Sequence, residues 1–148
     1  MTFIHATSVA IRSAGQWRAV LLRGPSGSGK SDLALRVLQA GGRLIADDQT
    51  HLARVRRSLF ASAPPALAGL IEARGIGIVQ LPGSRRLARA PVKLLVDLVP
   101  PDRIERLPEP QSETLLEVTV PRVDLAPFEA SAVQKLWLAL TRKPAASS

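Results

Sequence analysis

The chain has 148 residues, of which 46% are hydrophobic, and this length favours one ordinary core in a single domain over residues 1–148. It has no cysteine, which excludes disulfides, thiolate metal sites and a cysteine nucleophile. The formal net charge of +8 suits acidic small ligands or an acidic partner, or merely scattered solvated arginines, whereas three Phe, two Trp and no Tyr argue against a nucleic-acid partner.

The start of the chain bears on cellular location. Residues 1–10 lack the basic segment and the long apolar run of an export signal. No window approaches the roughly 20 uninterrupted apolar residues that crossing a bilayer requires. We therefore expect a cytoplasmic protein with no membrane partner.

The first predicted elements are a strand hairpin, a glycine loop and a helix. Turn-forming residues separate two stretches of β-formers, and the second stretch runs into the glycine loop. In the helix that follows, Leu33, Val37 and Leu38 share one face, and Gly41 and Gly42 end it. The predicted segments are strands at 3–11 and 17–22, a turn at 12–16 and a helix at 32–39.

Strands outnumber helices in the rest of the chain. The short apolar run 43–46 ends abruptly in two acids, as a strand does when its carboxyl end opens into a site. An amphipathic stretch at 128–140 predicts a helix, and a polar tail follows at 141–148. The apolar residues at helical spacing in that stretch are Val133, Leu136, Trp137 and Leu140. The other predicted strands are 50–55, 75–81, 92–99 and 114–120.

Eight consecutive residues between the second strand and the helix match the phosphate-loop pattern G-x-x-x-x-G-K-[ST]. They are Gly24, Pro25, Ser26, Gly27, Ser28, Gly29, Lys30 and Ser31. Glycines let successive backbone N–H groups surround phosphates, at the positive end of the helix. Lys30 is expected to reach the β- and γ-phosphates, and the Ser31 hydroxyl to bind Mg²⁺. The alternative is a chance glycine turn with a solvated lysine, but the flanking strand and helix favour binding of ATP or GTP.

The acids at the end of the run 43–46 are candidates for catalysis or metal binding. Asp47 and Asp48 are adjacent, and a carboxylate there can hold magnesium or accept a proton from an attacking hydroxyl. Acidic pairs are usually only solvated turn residues, but the nearby phosphate loop favours a role in the site. Side chains of adjacent residues in an extended segment point in opposite directions, so the two are expected to do different jobs. The residues alone do not decide which is the base.

Three segments together resemble the kinase domain of HPr kinase/phosphorylase, the bacterial enzyme that acts on a serine of the phosphocarrier HPr. They are residues 24–31, residues 43–48 and residues 70–78, the last similar to the family's Glu-x-Arg-Gly-x-Gly signature, which generic P-loop proteins lack. The resemblance covers most of the chain. It implies an α/β, P-loop nucleotide-binding fold with a mixed, strand-rich sheet around a Walker A loop and helix.

The resemblance also implies roles for individual residues. Lys30 contacts the phosphates, Ser31 and Glu72 bind magnesium, and Asp48 is the base for the substrate serine. Asp47 remains a candidate magnesium ligand. Proton removal by a carboxylate is physically sensible because serine is a weak nucleophile at neutral pH.

Three further residues become candidates only through the resemblance. His5 looks like the family's histidine near the first strand of this domain, although a lone early histidine is usually an ordinary surface or core residue. Arg106 resembles an arginine that could neutralise charge on the transferring phosphoryl group, with a solvated loop arginine as the alternative. Arg74 lies in the Glu-x-Arg-Gly-x-Gly segment, where it is either catalytic or paired with Glu72 or Asp47.

The chain departs from the family pattern in two places. It begins where the kinase domain of longer members begins, so their separate N-terminal domain is expected to be absent. At 120–128 the basic, glycine-containing stretch associated with dephosphorylation is not evident, so the resemblance does not support reverse phosphorylase activity. The segment 80–89 falls where family members have a mobile, substrate-contacting loop, although a solvated basic hairpin fits its sequence equally.

Taken together, the resemblance predicts a protein-serine kinase that uses ATP and Mg²⁺. Its partner would be an HPr-like phosphocarrier of a bacterial phosphotransferase system, and the chain would form a homo-oligomer, by family likeness a hexamer. Two alternatives stay open on sequence. One is a small-molecule kinase or nucleoside-triphosphate hydrolase, and the other is a nucleotide-binding regulatory sensor without turnover.

Overall fold

β-Strands dominate the computed structural model, which describes residues 2–142. Within that range the strands are β1 (Thr2–Ile4), β2 (Ala6–Ser13), β3 (Gln16–Arg23), β4 (Arg43–Ala46), β5 (Thr50–Val55), β6 (Ser58–Ser62), β7 (Leu70–Ala73), β8 (Gly77–Gln80), β9 (Arg89–Leu98), β10 (Gln111–Leu115) and β11 (Val118–Leu125). The helices in the same range are α1 (Lys30–Gln39) and α2 (Ala132–Thr141). Neither helix is long and apolar enough to cross a membrane. The polar tail expected at 141–148 lies mostly outside the described residues.

Among these strands, nine form one mixed sheet, and β7 and β8 form a separate antiparallel pair. The order along the large sheet is β1-β5-β6-β9-β3-β2-β4, with the β10–β11 hairpin attached to β9 through β11. β9 runs parallel to β3 on one side. On its other side it pairs antiparallel with β6 along its first half and parallel with β11 along its second half. The mixed, strand-rich α/β sheet predicted from the resemblance is confirmed.

Both faces of the central strands are buried, which explains why their sequences read as continuous apolar runs. Because side chains alternate along a strand, Val20 and Leu22 of β3 join the cluster beneath the two helices, while Leu21 joins the cluster on the opposite face. α1 packs through Leu33 and Val37 as predicted. α2 packs through two of the four predicted residues, Leu136 and Leu140, with the other two partly buried beside them.

The strand directions gather several chain segments at one edge of the sheet. The parallel strands β3, β9 and β11 all end there, so the segments that follow Arg23, Leu98 and Leu125 are neighbours. β2 is antiparallel to both β3 and β4, so β4 also ends at this edge and β2 begins there. Ligands of α/β sheets bind outside the carboxyl ends of such strands, so this edge is where a site is expected.

Residues 114–120, predicted as one strand, instead contain the turn of a hairpin. Leu116 and Glu117 have positive φ of 46° and 66°, so the chain turns there and forms the hairpin between β10 and β11. Such a turn is normally signalled by Gly, Asn or Asp, which this position lacks. The last helix begins at Ala132 rather than at residue 128, because residues 127–131 form turns.

Candidate active site

The glycine loop, residues 24–31, joins the end of β3 to the first turn of α1. Gly27 and Gly29 have φ of 82° and 100°, a backbone region that glycine adopts without steric cost. The loop is tightly wound, since a Cβ at Gly24 would lie 2.5 Å from Ser28 Oγ. The loop backbone therefore passes close to its own side chains and to the free N–H groups at the start of α1.

Lys30 connects this loop to the acidic pair. Its side chain is only 6% exposed, and Nζ donates to Gly24 O at 2.6 Å. Nζ also lies 3.8 Å from Asp48 Oδ1. The ammonium group is thus held at the mouth of the loop with a carboxylate beside it, where it can attract an anion and influence the neighbouring acid.

Asp47 is the most heavily bonded acid of the site. Its Oδ1 accepts hydrogen bonds from Thr7 Oγ1 at 2.9 Å and from Ser31 Oγ at 2.8 Å. Its Oδ2 accepts from the backbone N–H of Glu72 at 2.9 Å. One carboxylate therefore holds together the starts of β2 and α1 and the β7–β8 hairpin, at the position where a cation ligand was predicted.

Asp48 points to a different set of neighbours, as expected for the second of two adjacent acids. Its backbone has a positive φ of 66°, and its N–H donates to Thr7 Oγ1 at 3.0 Å. Its Oδ1 accepts a hydrogen bond of 2.6 Å from His5 Nε2. The Asp48 side chain is 65% exposed, so a second molecule can reach the carboxylate. An exposed carboxylate beside a buried lysine has the placement that a general base requires.

The structure brings some of the predicted site residues together and leaves others apart. His5, Lys30, Ser31, Asp47 and Asp48 form one group, joined by hydrogen bonds through Thr7 and by the ion pair between Lys30 and Asp48. Glu72 reaches it only through its backbone, with its side chain exposed. Among residues 2–142, no hydrogen bond or ion pair joins Arg74 or Arg106 to this group, and both arginines are exposed.

The segment 80–89 is bound to the far end of α1. Arg85 donates to Leu38 O at 2.9 Å, and the backbone N–H of Leu87 donates to Leu44 O of β4 at 2.8 Å. Leu38 is eight residues beyond Lys30, which is about 12 Å along a helix axis. The substrate-contacting role expected for this segment therefore finds no support in its position, because it does not adjoin Asp48 of the same chain.

Thr7 is the site residue that sequence reasoning missed. Its hydroxyl donates to Asp47 and accepts from the backbone of Asp48, so one buried side chain orients both acids. The signal available in the sequence was a pair of hydroxyl residues, Thr7 and Ser8, inside an apolar strand. Buried hydroxyl groups need hydrogen-bond partners, but the sequence does not say which partners they find.

Four charged side chains form a cluster just before the glycine loop. Arg23, the last residue of β3, donates to Asp97 at 2.6 and 3.0 Å and to Glu113 at 2.7 and 2.8 Å. Arg122 donates to the same Asp97 at 2.7 Å. The hydrogen bond from Arg23 lowers the pKa of Glu113 below its ordinary value. Burial raises the pKa of Asp97, but the hydrogen bonds from Arg23 and Arg122 outweigh burial and leave that pKa lowered.

We expect acid to weaken this cluster. Carboxyl groups whose pKa is depressed by folding stabilise the native state above their unfolded pKa, about 4, and lose that contribution as the pH falls through the folded pKa. The free energy of unfolding of the wild type should therefore fall more steeply below about pH 4 than that of Arg23→Gln. Urea unfolding between pH 7 and pH 2.5 measures the difference. Arg54→Gln, which removes an exposed pair with Glu117 and a hydrogen bond to the Arg56 carbonyl, should parallel the wild type, and parallel curves for Arg23→Gln would contradict the assignment.

The tight contact at Gly29 gives a second prediction. A Cβ at this position would lie 2.8 Å from Phe128 Cζ, in a backbone region with positive φ. Gly29→Ala should therefore lower the free energy of unfolding by about 1–3 kcal/mol. Urea denaturation measures it, with Gly83→Ala as control because a Cβ there meets nothing within 4 Å. Equal, small effects of both substitutions would show that the loop does not have this conformation.

The residues at this edge suit a triphosphate and a magnesium ion. Ser28 Oγ is buried without a hydrogen-bond partner, so the loop has polar capacity left for a ligand. Ser31 and Asp47 offer the oxygen ligands that Mg²⁺ prefers. Residues 2–142 contain no cluster of three or more His, Cys, Asp or Glu side chains able to hold a metal. Mg²⁺ bound with a nucleotide is generally held by one or two carboxylates together with the phosphates.

Comparison with known proteins yields one family. The curated relatives include HPr kinase/phosphorylase of Lactobacillus acidophilus, 35% identical over 131 residues that cover 82% of this chain and 39% of the relative. Another is HPr kinase/phosphorylase of Bordetella petrii, 34% identical over 117 residues, covering 72% of this chain and 36% of that protein. The chain thus spans well under half the length of these relatives.

A solved structure agrees with the sequence matches. The Hpr(Ser) kinase/phosphatase from Coxiella burnetii superimposes with a TM-score of 0.80 at 26% identity, covering 96% of this chain and 89% of that one. The model of the HPr serine kinase C-terminal domain matches residues 1–137. Since that match takes in nearly the whole chain, the chain belongs to the HPr serine kinase C-terminal domain family.

Proposed function

We propose that this chain is a cytoplasmic protein-serine kinase that transfers the γ-phosphoryl group of ATP to a serine of an HPr-like phosphocarrier protein of a bacterial phosphotransferase system. The observation that carries the proposal is the position of Asp48. This exposed acid lies 3.8 Å from the buried Lys30 at the end of the glycine loop. A base and a phosphate-binding cation are thus side by side, which phosphoryl transfer to an alcohol requires.

In this proposal residues 24–31 are a P-loop of the Walker A type. The backbone N–H groups of the loop and of the first turn of α1 bind the triphosphate, aided by the positive end of the helix. Gly24, Gly27 and Gly29 keep side chains away from the phosphates. Lys30, now donating to Gly24 O, exchanges this bond for phosphate oxygens.

The magnesium ligands in this proposal are Ser31 and Asp47, whose oxygens lie 2.8 Å apart, with Glu72 as a third candidate. When bound, Mg²⁺ neutralises charge on the phosphates of ATP and makes the terminal group easier to transfer. The Thr7 hydroxyl donates to Asp47 and keeps that carboxylate turned toward Ser31. The same hydroxyl accepts a hydrogen bond from the Asp48 backbone, which fixes the backbone so that the Asp48 side chain has different neighbours.

Asp48 acts as the base that receives the proton of the substrate serine. His5 holds one carboxylate oxygen through a hydrogen bond of 2.6 Å and leaves the carboxylate exposed to the incoming hydroxyl. Arg74 and Arg106 are proposed to stabilise negative charge on the transferring group. Among the described residues neither arginine forms a hydrogen bond or ion pair with Asp48, so both would have to reach the phosphoryl group of bound ATP.

The proposal takes residues 1–148 as one domain that assembles into a homo-oligomer, by family likeness a hexamer. An HPr-like carrier is the substrate suggested by the names of the relatives, HPr kinase/phosphorylase. Reverse phosphorylase activity is left out of the proposal, because the glycine-containing basic stretch expected for it is not evident at 120–128.

The test is a transfer assay. The protein is incubated with γ-labelled ATP, Mg²⁺ and a purified HPr-like carrier, with the carrier's serine-to-alanine variant as control, and the labelled residue is identified by mass spectrometry. We expect label on serine of the wild-type carrier only. Label on a small molecule, release of free phosphate, or nucleotide binding without turnover would favour a small-molecule kinase, a hydrolase or a sensor, respectively. Adding inorganic phosphate to the labelled carrier then tests whether the reaction is reversed.

A further inference from the structure

A cleft of about 490 Å³ opens beside the glycine loop, on the side away from the acidic pair. Three segments line it: residues 25–28 of the loop, residues 98–101 after β9, and residues 126–129 after β11. These segments are brought together because β3, β9 and β11 are parallel and end at the same edge of the sheet. The cleft therefore shares its wall with the proposed phosphate site, and its volume suits a small organic ligand.

The lining of this cleft is chiefly hydrocarbon. Leu98, Val99 and Pro100 form one wall, and Pro127 and Phe128 form the other. Phe128 is 69% exposed, against 42% for Phe3, so its ring is readily accessible to a ligand. Its ring lies directly against Gly29, so the aromatic surface is held next to the phosphate loop. A flat ring beside an anion site suits a ligand with an aromatic part and a phosphate part.

Few polar side chains in the lining are free to read the edge of a base. The carboxylate of Glu129 accepts a hydrogen bond from Lys135 at 2.5 Å. The backbone N–H groups of Val99 and Glu129 donate to Leu125 O and Ala126 O. The remaining polar side chains are Ser26 and Ser28 of the loop itself. None of the lining residues is Asn, Gln or Arg, the side chains suited to bidentate contacts with bases.

We infer that this cleft holds the purine base and ribose of the nucleotide by stacking and apolar contact, without hydrogen-bond selection between adenine and guanine. The inference rests on the proposed function, because it takes the phosphates to lie in the glycine loop. Apolar pockets discriminate weakly between similar ligands, whereas pockets built to hydrogen-bond a group discriminate strongly. The chain should therefore accept ATP and GTP with affinities within about tenfold of each other.

The test combines substitutions at Phe128 with a comparison between nucleotides and a ligand that has phosphates but no base. Titration calorimetry with Mg²⁺ would compare nonhydrolysable ATP and GTP analogues with inorganic tripolyphosphate, which fills only the phosphate site. Phe128→Ala should weaken both nucleotide analogues about tenfold and leave tripolyphosphate unchanged, since stacking on an aromatic side chain is worth roughly 1–3 kcal/mol per base. Phe128→Trp should retain nucleotide affinity. Leu138→Ala, at an exposed apolar residue of α2, is the matched control and should change neither ligand.

The outcomes separate this inference from the function on which it rests. If the wild type binds tripolyphosphate and Lys30→Met does not, the glycine loop is a phosphate site, whether or not the cleft binds the base. The inference is overturned if Phe128→Ala weakens tripolyphosphate and nucleotide alike, if it weakens neither, or if the wild-type affinities for the ATP and GTP analogues differ by clearly more than about tenfold. Failure of the wild type to bind tripolyphosphate at all would overturn the proposed function and this inference with it. Because Phe128→Ala also removes the contact with Gly29, Phe128→Leu, which keeps bulk but not the aromatic face, should reproduce the nucleotide-specific loss.

Discussion

Asp48→Asn is expected to lower kcat for phosphoryl transfer by about 10²- to 10⁴-fold, the usual contribution of a general base. The amide has the shape of the carboxylate but cannot take the proton of the substrate serine. Nucleotide affinity should be unchanged or slightly higher, because the negative charge 3.8 Å from Lys30 is removed. Steady-state kinetics with the carrier, together with nucleotide titration, would separate the two effects.

The matched control for this substitution is Asp124→Asn. Asp124 is a partly exposed aspartate of β11 that bonds Arg122 and makes no hydrogen bond to His5, Lys30 or Asp48. The Asp124→Asn variant should keep kcat near the wild-type value. If Asp48→Asn retains most of its activity, another group removes the proton, and the assignment of Asp48 is wrong. A parallel fall in nucleotide affinity would instead indicate damage to the loop.

Lys30→Met is expected to lower kcat/KM for ATP by about 10²- to 10³-fold, comparable with removal of one donor from a site that stabilises developing negative charge. Lys30 is buried against the loop carbonyls, so methionine can fill much of its space without the charge. The loss should therefore appear in nucleotide binding and turnover rather than in folding. Tripolyphosphate affinity and initial rates at varied ATP would measure it.

The control for Lys30→Met uses the same substitution at an exposed lysine. Lys93 lies on β9 with its side chain in solvent, so Lys93→Met should leave both ATP kinetics and tripolyphosphate affinity unchanged. Lys30→Arg should rescue poorly, because the guanidinium is wider and planar while the pocket encloses a compact ammonium group. Unchanged tripolyphosphate binding in Lys30→Met would mean that the glycine loop does not hold phosphates.

The parts of the fold that local chemistry determines could be predicted from sequence. The segment from β3 through the glycine loop to α1 was predictable because the glycines, the apolar strand and the helical spacing of Leu33 and Val37 all lie within about twenty residues. The end of β4 at Ala46, just before Asp47, was predictable for the same reason. The turn at Leu116 and Glu117 was not, because neither residue is of the type that usually takes positive φ.

The parts of the site that depend on strand order were beyond local reasoning. Thr7 reaches Asp47 and Asp48 only because β2 lies between β3 and β4, an arrangement across about 40 residues of chain. Arg23 meets Asp97 because β3 pairs with β9, and it meets Glu113 because the β10–β11 hairpin attaches to β9, across 74 and 90 residues of chain. The cleft beside Phe128 exists because three strand ends converge. Conversely, Arg74 and Arg106 are candidates by resemblance alone, and both are exposed and form no hydrogen bond or ion pair with the other site residues among residues 2–142.

The most direct measurement of the central claim is a crystal structure with a nonhydrolysable ATP analogue and Mg²⁺. We expect the triphosphate inside residues 24–31, with Lys30 Nζ moved from Gly24 O to phosphate oxygens, the metal on Ser31 and Asp47, and Asp48 facing the terminal phosphoryl group. A nucleotide bound elsewhere, or a triphosphate out of reach of Asp48, would contradict it.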